Sequence, residues 1–199
     1  MIFSHGGIAP RVDPSAWVAP TAVVCGDVTV GADARISYGA TVVAEGGSIE
    51  IGATTIVMEN AVIRSTARHS TVIAEHCLVG PNAHLVGCAL EPEVFVATGA
   101  AVFHSATLGR GSEVRVNGIV HLRSRLAAGA VVPIGWVAIG DPAAIHPPDR
   151  HDDIWLAQRP LDFPLTAYGI PRQEADMKTI TERVSAALAE HRHDEEVRA

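Results

Sequence analysis

Apolar residues return at every sixth position along most of this chain. The series runs through Val18, Val24, Val30, Ile36 and Val42, breaks for three extra residues, and continues at Ile51, Val57 and Ile63. Four more residues intervene before Ile73, Val79 and Leu85. One step of five then leads to Leu90, and sixes carry on to Val132. The residue four places after each start is usually small, as at Ala22, Ala34, Ala40, Ala61, Cys77, Ala83, Ala89 and Ala106; Val28 and Val94 are the largest exceptions. A period of six matches neither a helix nor a set of hairpin strands. It suits a short strand followed by a tight corner, three of which close one triangular rung. The large residue fills the rung's interior and the small one permits the bend. Stacked about 4.8 Å apart, such rungs bury one another's apolar layers. Nineteen starts give about six rungs. The chain is therefore expected to be an all-β solenoid.

Burial in such a core must rest on aliphatic side chains, because the chain is 48% hydrophobic yet only 5% aromatic. Eighteen Gly and twelve Pro are spread through apolar sequence, which argues against disorder. The net charge is −7 and no basic stripe interleaves with aromatics, so nucleic acid is not an expected partner. No apolar run is long enough to span a membrane. The opening MIFSHGGIAP has neither a basic start nor an apolar stretch, and Cys25, Cys77 and Cys88 cannot all pair within one chain. A reducing, cytoplasmic address is the expectation.

The repeat is expected to stop near GDPAAI (140–145), which gives a solenoid over residues 1–145. Residues 146–171 mix Pro, charge and aromatics and read as a connector with a short helical stretch around 150–158. From Arg172 to about His193 the apolar residues Met177, Ile180, Val184 and Leu188 form a helical stripe. Residues 172–199 are thus expected to carry a C-terminal α-helix packed on the solenoid.

The register assigns residues to faces. Face A carries the starts Val57, Val79, Val96 and Val114; face B carries Val42, Ile63, Leu85, Val102 and Val120; face C carries Ile51, Ile73, Leu90 and Leu108. The residue after each start points outward, so face B stacks Val43, Arg64, Val86, Phe103 and His121 in one column. The third position of face A stacks Glu59, Pro81, Thr98 and Val116. TARHS (66–70) bulges from the corner between B and C and carries His69. Cys88 falls at a corner, and Cys25 points outward on face B.

This repeat resembles the hexapeptide-repeat superfamily, whose fold is a left-handed parallel β-helix; the handedness follows from the resemblance. The runs YGATVVAEGGSIEIG, ENAVIR, TVIAEHCLVGPNAHLVGCAL and GDPAA resemble the gamma-class carbonic anhydrase branch over roughly residues 8–145. The resemblance implies a homotrimer with ligand sites between subunits. It also implies a zinc ion held by three His, two from one chain and one from its neighbour, which makes a hydroxide that attacks carbon dioxide. Carried over position by position, those His become Arg64, Pro81 and Val86. Val43 and Glu45 replace the Arg and Asp of an Arg-Gly-Asp-like run, and Met58 and Glu59 replace a Gln-Asp pair. Pro and Val offer no lone pair and Arg stays cationic, so the family site is expected to hold no metal. No other cofactor is expected.

Three functions remain open at this level. In the first, a degenerate gamma-class-like homotrimer without carbonic anhydrase activity keeps a small-anion pocket at the subunit interface. Arg64 would supply a fork for a carboxylate or phosphate, Glu59 would hold that fork or act as a base, and His84 would do proton work near neutral pH. A zinc ion could return only at a relocated site, for which His69, His84 and His104 are the candidates. In the second, the chain is an acyltransferase using an acyl-CoA donor, with His104 or His121 as base and Arg110, Arg115, Arg123 and Arg125 meeting phosphates. In the third, it is a non-catalytic trimeric scaffold.

Overall fold

The structure, a computed structural model, describes residues 1–197. Three parallel sheets wind around one aliphatic interior. Face A has seven strands, from Trp17–Val18 to Val131–Val132, and face C seven, from Arg11–Val12 to Arg125–Leu126. Face B has eight parallel strands, from Ile2–Ser4 to Val137–Ile139, with one antiparallel strand added at each end. The solenoid therefore makes about eight turns, not six. The apolar series from Val18 to Val132 omits the strands Ile2–Ser4 and Arg11–Val12 before it and Val137–Ile139 after it. A hairpin at His5–Ile8 with Gly6 and Gly7 breaks the six-residue step near the N-terminus and hides the first turn.

The hexad has a third component besides its large and small inward residues. Three places after most starts the backbone turns left-handed: at Asp33, Thr54, Asn60, His76, Asn82, Glu93, Ser105, Asn117 and Arg123, and at Gly39, Gly99, Gly111, Gly129 and Gly135. Gly, Asn and Asp tolerate that region best, so their recurrence marks the corners. At two corners the glycine is also required sterically. A Cβ on Gly39 would lie 2.2 Å from Asn60 Oδ1, and one on Gly99 2.3 Å from Asn117 Oδ1. The next rung's asparagine occupies the space a side chain would need.

Inside, Ile36, Ile63, Leu85 and Leu108 are fully shielded, and so are the small residues Ala22, Ala34, Ala61 and Ala83. The five-residue step between Leu85 and Leu90 reverses one expectation. Cys88 turns into the core, only 2% exposed, while Ala89 is half-buried. Gly87, at φ +57°, absorbs the missing residue.

Both long strands, Thr41–Glu45 and Val62–Thr66, lie side by side on face B and project beyond their neighbours. The second ends in a tight hairpin, Thr66 and His69 exchanging backbone hydrogen bonds at 2.9 and 3.0 Å. After Ile139 the chain doubles back as Ala144–His146 and enters a helical region: α1 (His151–Gln158), α2 (Phe163–Tyr168) and α3 (Met177–Leu188). Helix α3 is shorter than the stripe from Arg172 to His193 suggested. Asp176 caps its start by accepting from Thr179 N at 2.7 Å, and its far end tightens into a 3₁₀ turn over Ala189–His193. The stripe is half-buried at Ile180 and Val184 but exposed at Met177 and Leu188. Glu195–Glu196 then pairs with Ile2–Ser4, a strand that hydropathy does not signal. Among the described residues no helix is long and apolar enough to cross a membrane.

Candidate functional site

Strand pairing aligns Val43, Arg64 and Val86 on successive rungs of face B. Pro81 belongs to a different concavity, a groove of about 560 Å3 on face A that it lines with Met58, Leu78, Phe95 and Ile134. Arg64, Pro81 and Val86 do not fit a zinc ion: two have no donor atom, and the third brings a guanidinium whose charge opposes a dication.

Arg64 instead lines a cleft of about 820 Å3 between face B, the 66–69 hairpin and helices α2 and α3. One part of the wall is aromatic, Phe103, Phe163 and Tyr168 meeting edge to face, and the rest mixes charged, histidine and aliphatic side chains. Arg68 and Arg183 close the cleft by donating to backbone carbonyls at the end of α2: Arg68 Nη2 to Leu165 O at 3.0 Å, Arg183 Nη1 to Gly169 O at 3.0 Å. These carbonyls lie at the negative end of the helix and attract cations, although Leu165 O also accepts from Gly169 N at 3.0 Å.

The partner of Arg64 is Glu45, not Glu59. Nη2 donates to both Glu45 carboxylate oxygens, at 2.6 and 2.7 Å. Nε and Nη1 make no hydrogen bond among the described residues, so this guanidinium is half used. Glu59 lies on the face A side and accepts from Ser37 Oγ at 2.6 Å, a bond that holds its carboxyl below the usual range. Within one chain Glu59 does not line the cleft with Arg64.

His84 does. It opens the strand His84–Val86, half-buried in the cleft wall; burial, then the charge of Arg64, pushes its pKa down. His104 lies deeper, 6% exposed, with its Nδ1 unpartnered. Burial, and then the neighbouring His69, His84, Arg64 and Arg68, lower it to about 4. His69 meets it edge to face at 5.3 Å between ring centroids. Gly87 makes this possible: a Cβ there would lie 2.5 Å from His69 Cβ and 3.3 Å from His104 Cδ2. His69 has other engagements, Nδ1 at 3.2 Å from Ser105 Oγ and Nε2 at 3.3 Å from Thr166 O. So His69, His84 and His104 share one region, but within one chain their ring nitrogens do not converge as a ligand set.

The residues of the acyltransferase reading are dispersed or occupied. Arg110 pairs with Glu93, Arg115 with Glu113 and Arg125 with Asp141, while Arg123 donates to Thr166 Oγ1 at 2.9 Å. His121 is lowered by burial, and its Nδ1 is buried without a partner.

Sequence reasoning missed one cluster. His5 Nδ1 lies 2.6 Å from Asp194 Oδ1 and His191 Nδ1 2.7 Å from Asp194 Oδ2, with the two rings stacked at 4.4 Å. Cys25, expected to point outward, is only 3% exposed because Asp194 covers it, Sγ donating to Oδ2 at 3.3 Å. Burial raises the Cys25 thiol to about 12, helped by Asp194. Burial works against ionisation of Asp194, but hydrogen bonds from His191, His5 and Cys25 outweigh it and hold that carboxyl low. The run HRHDEE was the available signal, yet nothing in it says that His5 is its neighbour.

Eight stacked turns with hexad corners define a parallel β-solenoid that matches the left-handed β-helices of hexapeptide-repeat proteins. A UDP-N-acetylglucosamine acyltransferase from Bacteroides fragilis superposes with a TM-score of 0.57 over 92% of this chain and 78% of its own, at 17% identity, which speaks for the fold alone. Within that class the relatives in sequence are gamma carbonic anhydrases and CaiE proteins. Gamma carbonic anhydrase 1, mitochondrial, of Arabidopsis thaliana is 30% identical over 129 residues, 62% of this chain and 47% of that protein. The carnitine operon protein CaiE of Escherichia coli is 28% identical over 112 residues, 56% of this chain and 57% of its own. The chain thus spans about half the length of the curated relatives it matches. No protein-family profile matches it.

Proposed function

We propose that this protein is a gamma-carbonic-anhydrase-like homotrimer that lacks the zinc triad, does not hydrate carbon dioxide, and binds a small carboxylate in the cleft beside Arg64. The observation that carries the reading is the half-used guanidinium. Glu45 engages one of its nitrogens, and the remaining donors suit the two oxygens of a carboxylate. His84, kept neutral at neutral pH, is placed to exchange a proton with a bound acid.

The homotrimer draws support from face A. Trp17, Ile56, Phe95, Val116 and Ile134 are exposed there, an apolar surface of the kind that marks an interface. In a family-like trimer the partner subunit's Glu59 and Pro81 would approach the Arg64 column. A cytoplasmic address remains part of this reading, resting on three unpaired cysteines.

The test is calorimetric titration of the purified trimer with a panel of small mono- and dicarboxylates, repeated on Arg64→Ala. Saturable binding that disappears in the variant is expected. Heats no larger than those of equal ionic strength would overturn the carboxylate reading and leave a scaffold.

A further inference from the structure

We propose that His5, His191 and Asp194 form a binding site for a zinc-class divalent cation, which clasps the C-terminal segment to the first turn of the solenoid. The site lies at one end of the same cleft, which His5 and His191 line along with Arg64, and Glu45 stands between the two; it does not require the carboxylate of the proposed function.

Three features point to a metal rather than to a plain hydrogen-bonded knot. The two imidazoles turn the same nitrogen, Nδ1, towards opposite oxygens of one carboxylate, so the donor atoms converge on one small volume. One ligand atom from each residue lies within 4.8 Å of the other two. Bond lengths near 2.0–2.1 Å around a tetrahedral ion put ligand atoms about 3.4 Å apart, so the N–O contacts open by less than about 1 Å when a cation replaces the bridging protons. Second, His191 Nε2 faces Glu45 Oε1 at 3.7 Å. That is beyond hydrogen-bond reach, but a shift of a few tenths of an ångström would give the carboxylate–imidazole contact that orients metal-bound histidines. Third, the groups are sheltered, with side-chain exposures of 16%, 26% and 15% for His5, His191 and Asp194. Two nitrogens and a carboxylate oxygen are a donor set that zinc accepts, with the fourth position left for water. The Cys25 thiol stays in the surrounding shell, donating to Asp194.

His5 belongs to the hairpin that leaves the first strand, and His191 and Asp194 flank the turn before the last one. A bound ion would therefore join residues nearly the whole chain apart, next to the pairing of Phe3 with Glu196.

The experiment uses the full chain without an affinity tag, stripped with chelator and then titrated with Co(II) and Zn(II) alone. Expected are one equivalent of Co(II) per chain with the intense visible bands of tetrahedral cobalt, displacement of that spectrum by Zn(II), and a higher Tm with Zn(II). His5→Ala and His191→Ala, on opposite sides of the site, should each weaken binding by about tenfold or more, while His76→Ala at an exposed corner leaves it unchanged. Circular dichroism confirms that each variant keeps its β signal. Uptake well below one equivalent by the wild type, or wild-type affinity in either His variant, would overturn the site.

Discussion

Arg64 and Glu45 face each other across adjacent rungs of face B, with one guanidinium nitrogen between both carboxylate oxygens at 2.6 and 2.7 Å. Arg64 stands where the gamma-class resemblance places a zinc ligand, and within the chain Glu45 engages it there. The pair is partly solvated, 37% and 22% exposed, and its worth to stability is about 1 kcal/mol or less. Glu45→Gln should therefore lower stability only slightly while raising carboxylate affinity several-fold, because it frees donors on Arg64. Urea denaturation and calorimetry on the same variant separate the two effects. A drop in affinity would mean that Glu45 itself shapes the ligand site.

Loss of the triad predicts a rate. In stopped-flow indicator assays with added Zn(II), hydration of carbon dioxide should proceed at the uncatalysed rate. Acceleration that Pro81→Ala or Val86→Ala removes would contradict the reading of this site.

His104 sets a pH dependence. Its pKa is about 4 in the folded chain against 6.5 as the ordinary value, so between those limits the unfolded chain binds more protons than the folded one. Stability is then fully present above about pH 6.5 and is lost as pH falls towards 4. The full difference corresponds to about 3 kcal/mol. His104→Gln should remove about that much of the slope in urea midpoints measured from pH 7 to pH 4.5, leaving the parts due to His84 and His121. An unchanged slope would show that the fold does not lower the His104 pKa.

The insertion hairpin depends on one missing side chain. Gly87→Ala places a Cβ against His69 and requires alanine at positive φ. It should cost about 1–3 kcal/mol and displace His69 from His104, visible as a changed His69 resonance in NMR. By comparison, Leu85→Ala, two residues earlier on the same rung, should cost about 2–5 kcal/mol through the cavity it leaves, with no specific effect on His69.

Much of the solenoid was legible because its signal is periodic: each six-residue step repeats the same inward residue and corner, so the register of Val43, Arg64 and Val86 could be read directly. The first turn was missed where Gly6 and Gly7 interrupt the step. The site was legible only in part. Arg64 and His84 were found because they sit in the repeat. Glu45 was the wrong partner to overlook, since it lies two residues past Val43 on the longer strand, within reach of Arg64 only because both strands overrun. The cleft's aromatic wall and the His5–His191–Asp194 cluster arise from how α2, α3 and the last strand fold back. No period in the sequence encodes that return path.

The strand Glu195–Glu196 has a consequence of its own. A solenoid ends in unpaired backbone amides and carbonyls, and each terminus is a template on which another copy can polymerise. Here the first rung's face B edge is occupied by an antiparallel segment carrying two glutamates, and the opposite edge by Ala144–His146. Both termini of the widest sheet are thereby covered, which disfavours end-to-end growth along face B.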